Sequence, residues 1–101
     1  MLTTLTALAD PVRLRVVALL VDGERSAGEI ERALQISQPA ASKHLRSLRL
    51  AGLVRVRKDA QRRLYRLDPA PLAELDAWLA PYRQFWSQRL DALERHLDQE
   101  S

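Results

Sequence analysis

The chain has 101 residues, no cysteine, 47% hydrophobic and 29% charged side chains, and a net charge of +3. These figures describe one small ordered domain with a modest core, which a partner subunit would help to complete. They exclude disulfides, cysteine-ligated zinc, thiol redox chemistry and cysteine nucleophiles, and no apolar run nears the roughly 18 residues of a membrane span. The start, MLTTLTALADPVR, lacks the basic n-region of a signal peptide, so a cytoplasmic location and no membrane partner are expected.

The elements follow in chain order. Leu2, Leu5 and Leu8 recur every three residues and predict a short helix with one apolar face. Asp10-Pro11 starts a second helix, Asp at the N-cap and Pro at N1, where its missing N–H costs nothing. Val12, Val16, Ala18, Leu19 and Leu20 mark it as a core helix that runs to about Val21 and stops at Asp22-Gly23. Ser26-x-x-Glu29 reads as a capping box that opens a short helix to about Leu34, with Ile30 and Leu34 as its apolar pair. After a brief turn at Gln35-Ile36, Ser37 caps a fourth helix with Pro39 in its first turn. Ala41, Leu45 and Leu48 lie on one side of that helix, and Gly52 stands just past its end.

From Leu53 to Lys58 the period changes to two: Val54 and Val56 alternate with Arg55 and Arg57, as in a half-buried strand. Asp59-Ala60-Gln61 can turn the chain, and Leu64 to Leu67 returns with Tyr65 and Leu67 on one face. Asp68-Pro69 begins a last helical region. Pro81 within it predicts a break near Ala80, giving a helix of about ten residues and then a longer one from about Pro81 to Leu97. The expected fold is therefore mainly α with a small β-hairpin, in the order α-α-α-α-β-β-α(-α).

The charge is unevenly spread. Residues 37–66 hold nine basic side chains and one acid, a balance of +8, whereas the other 71 residues sum to −5. Such a stretch points to a polyanion-facing surface. A capped short helix, a tight turn and a helix with a polar outer side form the helix-turn-helix arrangement. Opposite Leu45 and Leu48 that outer side presents Gln38, Ser42, Lys43 and Arg46. Gln can pair with adenine, Lys or Arg with guanine or phosphate, and Ser with either. The basic hairpin that follows carries Arg62 and Arg63 near its tip, placed for a DNA backbone or minor groove. Each feature alone is weak, since a polar helix face usually only meets water; their order and the concentrated charge make the combination specific. Double-stranded DNA is the expected partner, because no aromatic platform for single-stranded RNA is present.

Other constellations compete with this one. His44 sits at the border of the core face, where a structural hydrogen bond and a DNA contact both fit. Asp91, Glu94, His96 and Asp98 in the tail include a single histidine, and read better as solvated helix positions than as a metal site. Ser37, Ser42 and His44 are explained by helix capping and DNA contact rather than by hydrolytic chemistry. No enzyme activity, metal or cofactor is expected. Trp78, Tyr82, Phe85 and Trp86 are helically spaced, and a core or dimer seam is the commoner explanation than a small-molecule pocket. The face of Leu2, Leu5 and Leu8 and that of Tyr82, Phe85, Trp86, Leu90, Leu93 and Leu97 exceed what one small core can hide, which predicts a homodimer. Two-fold symmetry would then make the target an inverted repeat. A winged-helix module for protein contacts and a small-molecule-responsive regulator are the alternative readings.

The segments ALADPVRLRVVALL, SAGEIERAL and ISQPAASKHLRSLRLAGLVRVRKDAQRRLYRL resemble the ArsR/SmtB family of bacterial winged-helix regulators over about residues 5–67. The most specific pieces are Ala9-Asp10-Pro11 with Arg13, Ser42-Lys43-His44-Leu45 followed by Ala51-Gly52-Leu53-Val54, and Arg63 to Leu67. The resemblance implies a homodimeric DNA-binding regulator, usually a repressor. It implies dimerisation through residues 1–9 and 69–98, a helix-turn-helix at 26–51 and a wing at 53–67. It implies that the helix matching residues 38–51 enters the major groove, and the residues expected to meet DNA are Gln38, Pro39, Ser42, Lys43, His44 and Arg46, with Arg62 and Arg63 on the wing. Metal-sensing members carry cysteines where this chain reads Arg25-Ser26-Ala27-Gly28-Glu29; the resemblance is therefore to members that do not sense thiophilic metals.

Overall fold

The computed structural model describes residues 1–100, without the side chain of the last of these. Within them the order is α1 (Leu2–Leu8), α2 (Pro11–Leu20), β1 (Arg25–Ser26), α3 (Ala27–Leu34), α4 (Gln38–Leu50), β2 (Val54–Asp59), β3 (Arg62–Leu67) and α5 (Pro69–Glu100).

Local chemistry sets the helix ends. Asp10 caps α2 by accepting from the N–H groups of Val12 (2.9 Å) and Arg13 (3.1 Å), with Pro11 at N1. Arg13 turns back and donates to the carbonyls of Ala7 and Thr6, closing the C-terminus of α1. The Asp-Pro-x-Arg string is thus a double cap that sets α1 against α2. The capping box is formed in full: Ser26 Oγ accepts from the Glu29 N–H and Glu29 accepts from the Ser26 N–H, both at 3.2 Å. Between α3 and α4, Gln35 takes a left-handed φ of 55°, and the Ile36 N–H returns to the Glu31 carbonyl at 3.1 Å. Arg15 of α2 reaches the Leu34 carbonyl at 3.4 Å, so the turn is held from outside as well. Ser37 then caps α4 through the Ala40 N–H. At the other end of α4, Gly52 has φ 78°, with Gly52 N–H on the Arg49 carbonyl and Leu53 N–H on the Leu48 carbonyl, both at 3.0 Å. Leu48 and Leu53, brought together by this stop, are both fully buried.

The core is contiguous: Ala7 of α1, Val16 and Leu20 of α2, Ile30 and Leu34 of α3, Leu45 and Leu48 of α4, then Leu53, Val54 and Tyr65. One expected core position differs: Ala18 is exposed, because Val16 and Leu20 form the buried line of α2 with Val12, Val17 and Leu19 packed beside them, and on α1 it is Thr4 and Ala7 that are buried.

The sheet has one strand more than the predicted hairpin. Arg25 and Ser26 pair antiparallel with Tyr65 and Leu64, which puts β3 at the centre of the order β1-β3-β2. Two residues are too short for a periodic signal; the pairing depends on the return strand arriving alongside. Because β3 is central, Leu64 and Tyr65 are both buried although they point to opposite faces. The hairpin turn is shorter than predicted, Ala60-Gln61, with Asp59 opposite Arg62 and φ 57° at Ala60.

The expected break at Pro81 does not occur: α5 is one helix of 32 residues with Pro81 inside. A proline removes one backbone hydrogen bond but leaves the flanking turns free to continue. Here it lies in a largely exposed stretch, where water can satisfy the freed carbonyl. Arg83 reaches back across it to the carboxylate (2.7 Å) and carbonyl (3.3 Å) of Asp76. The first turns of α5 lie against the body through Leu72 and α1, but residues 80–99 are all exposed. The molecule consequently measures 63 × 26 × 20 Å. Its radius of gyration is 18.3 Å, against about 13 Å for a compact domain of this length.

Candidate nucleic-acid interface

Helix α4 is held by its buried side, Ala41, Leu45 and Leu48, which leaves Gln38, Pro39, Ser42, Lys43 and Arg46 exposed on the other. Gln38 and Ser42 occupy its N-terminal half, the part of such a helix that reaches furthest outward. His44 does not join them. It is half-buried and turned toward the start of α2, with Nδ1 3.9 Å from Asp10 Oδ1. That nitrogen is shielded from solvent and has no hydrogen-bond partner among the described residues. The backbone N–H groups of Arg13 and Val12, with His44 and Arg13 nearby, hold the Asp10 carboxyl below the usual carboxylate range.

Between α4 and the hairpin runs a cleft of about 700 Å³. Ser42, Arg46, Arg49 and Leu50 form one wall, Arg55, Arg63 and Arg66 the other, and Val54, Val56 and Tyr65 contribute apolar surface. A smaller hollow continues it past Arg49, Val56, Arg57, Lys58 and Arg63. Neither is lined by an acidic residue.

Three cations of the hairpin are already engaged. Arg57 donates to Glu24 through two hydrogen bonds, 2.7 and 2.9 Å, which tie β2 to the segment before β1. The same contact lowers the Glu24 pKa and raises that of Arg57. Arg55 holds Asp68 at 2.7 Å, while Asp68 also caps α5 through the Ala70 N–H at 3.0 Å. Both interactions lower the Asp68 pKa, the backbone one foremost. Arg62 meets Asp59 at 3.3 Å.

Strand alternation separates the two arginines that the sequence put together at the tip. Arg63 lies on the face of β3 that carries Tyr65 and lines the cleft; Arg62 lies on the opposite face, beside Asp59. Two residues not predicted from the sequence belong to the cleft instead. Arg49 follows Arg46 by three positions, a spacing that already places it on the same side of the helix. Arg66 borders the cleft as well, beside its cross-strand neighbour Arg55, although alternation puts it on the face of Arg62 and Leu64.

The expected dimer residues fall into two groups. Leu5 and Leu8 are half-buried, Leu8 against the core of its own chain, whereas Leu2 is 79% exposed. On α5, Tyr82, Phe85, Trp86, Leu90, Leu93 and Leu97 are all about half exposed or more, and the Trp78 ring lies 5.1 Å from that of Tyr82, tilted by 43°. Among the described residues no three His, Asp or Glu side chains gather as metal ligands, and no helix is long and apolar enough to cross a membrane.

Comparison with known proteins agrees with this architecture. A helix-turn-helix domain family matches residues 8–57. The HTH-type transcriptional regulator Rv2034 of Mycobacterium tuberculosis is 40% identical over 93% of this chain and 85% of its own length. The biofilm growth-associated repressor of Xylella fastidiosa is 44% identical over 70% of this chain, which spans 62% of that protein. The crystal structure of the ArsR family transcriptional regulator RHA00566 superposes with a TM-score of 0.73 at 28% identity, covering 84% of this chain and 88% of that one. The homodimeric winged helix-turn-helix DNA-binding domain Mb0332 of Mycobacterium bovis superposes with a TM-score of 0.67 at 32% identity, covering 81% and 76%. With its capped helix pair, outward-facing α4 and basic hairpin, the chain belongs to the ArsR/SmtB family of winged helix-turn-helix transcriptional regulators.

Proposed function

We propose that the protein is a cytoplasmic, homodimeric repressor without catalytic activity that binds an inverted-repeat DNA operator. The observation that carries the DNA-binding part is the exposed polar side of α4, Gln38, Ser42, Lys43 and Arg46, flanking a cleft walled by arginines and free of acids. In this reading residues 26–51 are the helix-turn-helix, 53–67 the wing, and 1–9 with 69–98 the dimer contact. Gln38 and Ser42 read base edges, Lys43 and Pro39 border them, and Arg62 and Arg63 serve the wing. His44 positions α4 on α2 rather than touching DNA. The homodimer is supported by the exposed apolar side of α5, which no single chain covers, and by the homodimeric relative Mb0332. Repression is supported by the Xylella relative, itself a repressor.

Selection of binding sites from a random duplex pool, followed by footprinting, tests this reading. The expected result is an inverted repeat with half-sites about 10 base pairs apart or a multiple of that. Transcription from a promoter holding that repeat should fall when the protein is added. Enrichment of no sequence, or of a single unrepeated half-site, would overturn the proposal.

A further inference from the structure

One nitrogen is left over where α1, α2 and α4 meet. Arg13 donates to the Ala7 and Thr6 carbonyls at the end of α1 and lies 4.0 Å from Asp10. Asp10 accepts from two N–H groups at the start of α2. His44 of α4 completes the corner: its side chain is only 13% exposed, and Nδ1 stands 3.9 Å from Asp10 Oδ1. That distance suits an ion pair but is too long for a hydrogen bond. Among the described residues two buried side-chain nitrogens lack a hydrogen-bond partner, Nδ1 of His44 and Nε of Arg25. Of these two side chains, imidazole is the one that changes charge between about pH 5 and 8. A buried nitrogen without a partner costs free energy; a proton on it turns that cost into attraction for the carboxylate.

The surroundings leave Asp10 as the partner. Helix α4 packs on α2, α3 and β2. From α2 come Asp10 and Arg13, while Arg15 turns away to the Leu34 carbonyl, and α1 has no charged side chain. Glu29, Glu31 and Arg32 of α3 and Arg55, Arg57, Lys58 and Asp59 of β2 make no ion pair with His44. On α4 itself Lys43, Arg46 and Arg49 are exposed. The Arg13 N–H foremost holds Asp10 below the usual carboxylate range, so it stays charged while an imidazole titrates.

We propose that His44 is a positioning residue whose protonation locks α4 against the N-cap of α2, which makes DNA binding proton-linked. As imidazolium, His44 donates Nδ1–H to Asp10 and holds α4 in the placement that meets DNA; the neutral ring loosens it. The contact belongs to the protonated form, so its contribution is present at low pH and is lost as pH rises through the imidazole range. The proposal rests on the DNA-binding reading above and adds a control to it.

The experiment is a pH profile of DNA binding by fluorescence anisotropy at constant ionic strength, with the full chain and a duplex carrying the selected inverted repeat. Affinity should be about threefold higher at pH 6 than at pH 8 for each protomer, or about tenfold for a dimer, the size expected of a partly exposed ion pair. His44→Gln should bind like the wild type at pH 8 and give a level profile. Asp10→Asn keeps a capping side chain but removes the charge, and should level the profile too. The double variant should add nothing to either single one. His96→Gln removes the other histidine and should keep the wild-type profile. Circular dichroism checks that each variant is folded; should one fail to fold, the other decides alone, since each removes one half of the pair. A level wild-type profile overturns the proposal, and so does a folded Asp10→Asn variant with the wild-type profile, because protonation would then act by added charge rather than by position. A wild-type chain that binds no duplex at any pH would refute the DNA-binding reading and the proposal with it, whereas binding that is level with pH overturns the proposal alone.

Discussion

The guanidinium of Arg57 lies against the carboxylate of Glu24, with Nη2 2.7 Å from Oε1 and Nε 2.9 Å from Oε2. Two parallel bonds fix orientation as well as distance, so this pair sets the angle of the wing relative to the helical body. Glu24→Gln should break the fork while leaving a neutral group in place. DNA affinity should fall several-fold with unchanged sequence preference, and the melting temperature should barely move, because the pair is exposed. Affinity on selected and scrambled duplexes, with thermal melts alongside, checks this; a changed preference would show that the wing reads bases.

Base reading and anchoring are separable on α4 and the wing. Gln38→Ala should cost about 1–3 kcal/mol on the selected site and little on scrambled DNA. Arg62→Ala should weaken both duplexes alike and only modestly, since Arg62 must leave Asp59 to meet a phosphate. If Gln38→Ala weakens both equally while Arg62→Ala affects only the selected site, the two roles are reversed.

Acid should destabilise the fold in a defined direction. Asp10, Glu24, Glu29 and Asp68 all have lowered pKa values, from backbone N–H groups at Asp10, Glu29 and Asp68 and from Arg57 at Glu24. A lowered folded-state pKa means that the unfolded chain binds more protons, so the stabilisation is present at neutrality and is lost as pH falls through the carboxylate range. The melting temperature should be level down to about pH 5 and drop below it. Glu29→Gln removes one titrating cap and should flatten part of that drop; an unchanged acid limb would argue against the capping box as a contributor.

Gly52 is the stop of α4, at φ 78°. An added Cβ finds space there, its nearest neighbour being Pro71 at 4.0 Å. Any penalty is therefore conformational, and Gly52→Ala should cost about 1–2 kcal/mol. Chemical denaturation measures it; a destabilisation well under that range would mean that the left-handed turn relaxes.

The apolar side of α5 predicts association. Leu93→Glu with Leu90→Glu should convert a dimer into a monomer in sedimentation at micromolar concentration, with α-helical signal retained in the body. It should also weaken DNA binding by far more than either substituted residue could through direct contact, since two half-sites are then bound independently. A wild-type monomer, with and without DNA, would sink the dimer.

What could be read from the sequence is whatever acts within about one turn of chain. The caps at Asp10, Ser26 and Ser37, the Gly52 stop, the inner line Ala41-Leu45-Leu48 and the alternation from Val54 to Arg57 all depend on neighbours three or four residues away at most. The tertiary structure decided the rest. Arg25-Ser26 became a strand because β3 returned beside it, and Leu64 was buried along with Tyr65 for the same reason. Pro81 announced a break that the exposed helix on both sides did not make. Nine basic residues formed one undivided +8 stretch in the sequence. Only the approach of Glu24 and Asp68 decided which of them are engaged, Arg57 with Glu24 and Arg55 with Asp68, although both still border the cleft or its extension beside Arg49 and Arg63. Charge is a property of composition, but a charge's partner is a matter of position in space, and residues distant in the chain supply it.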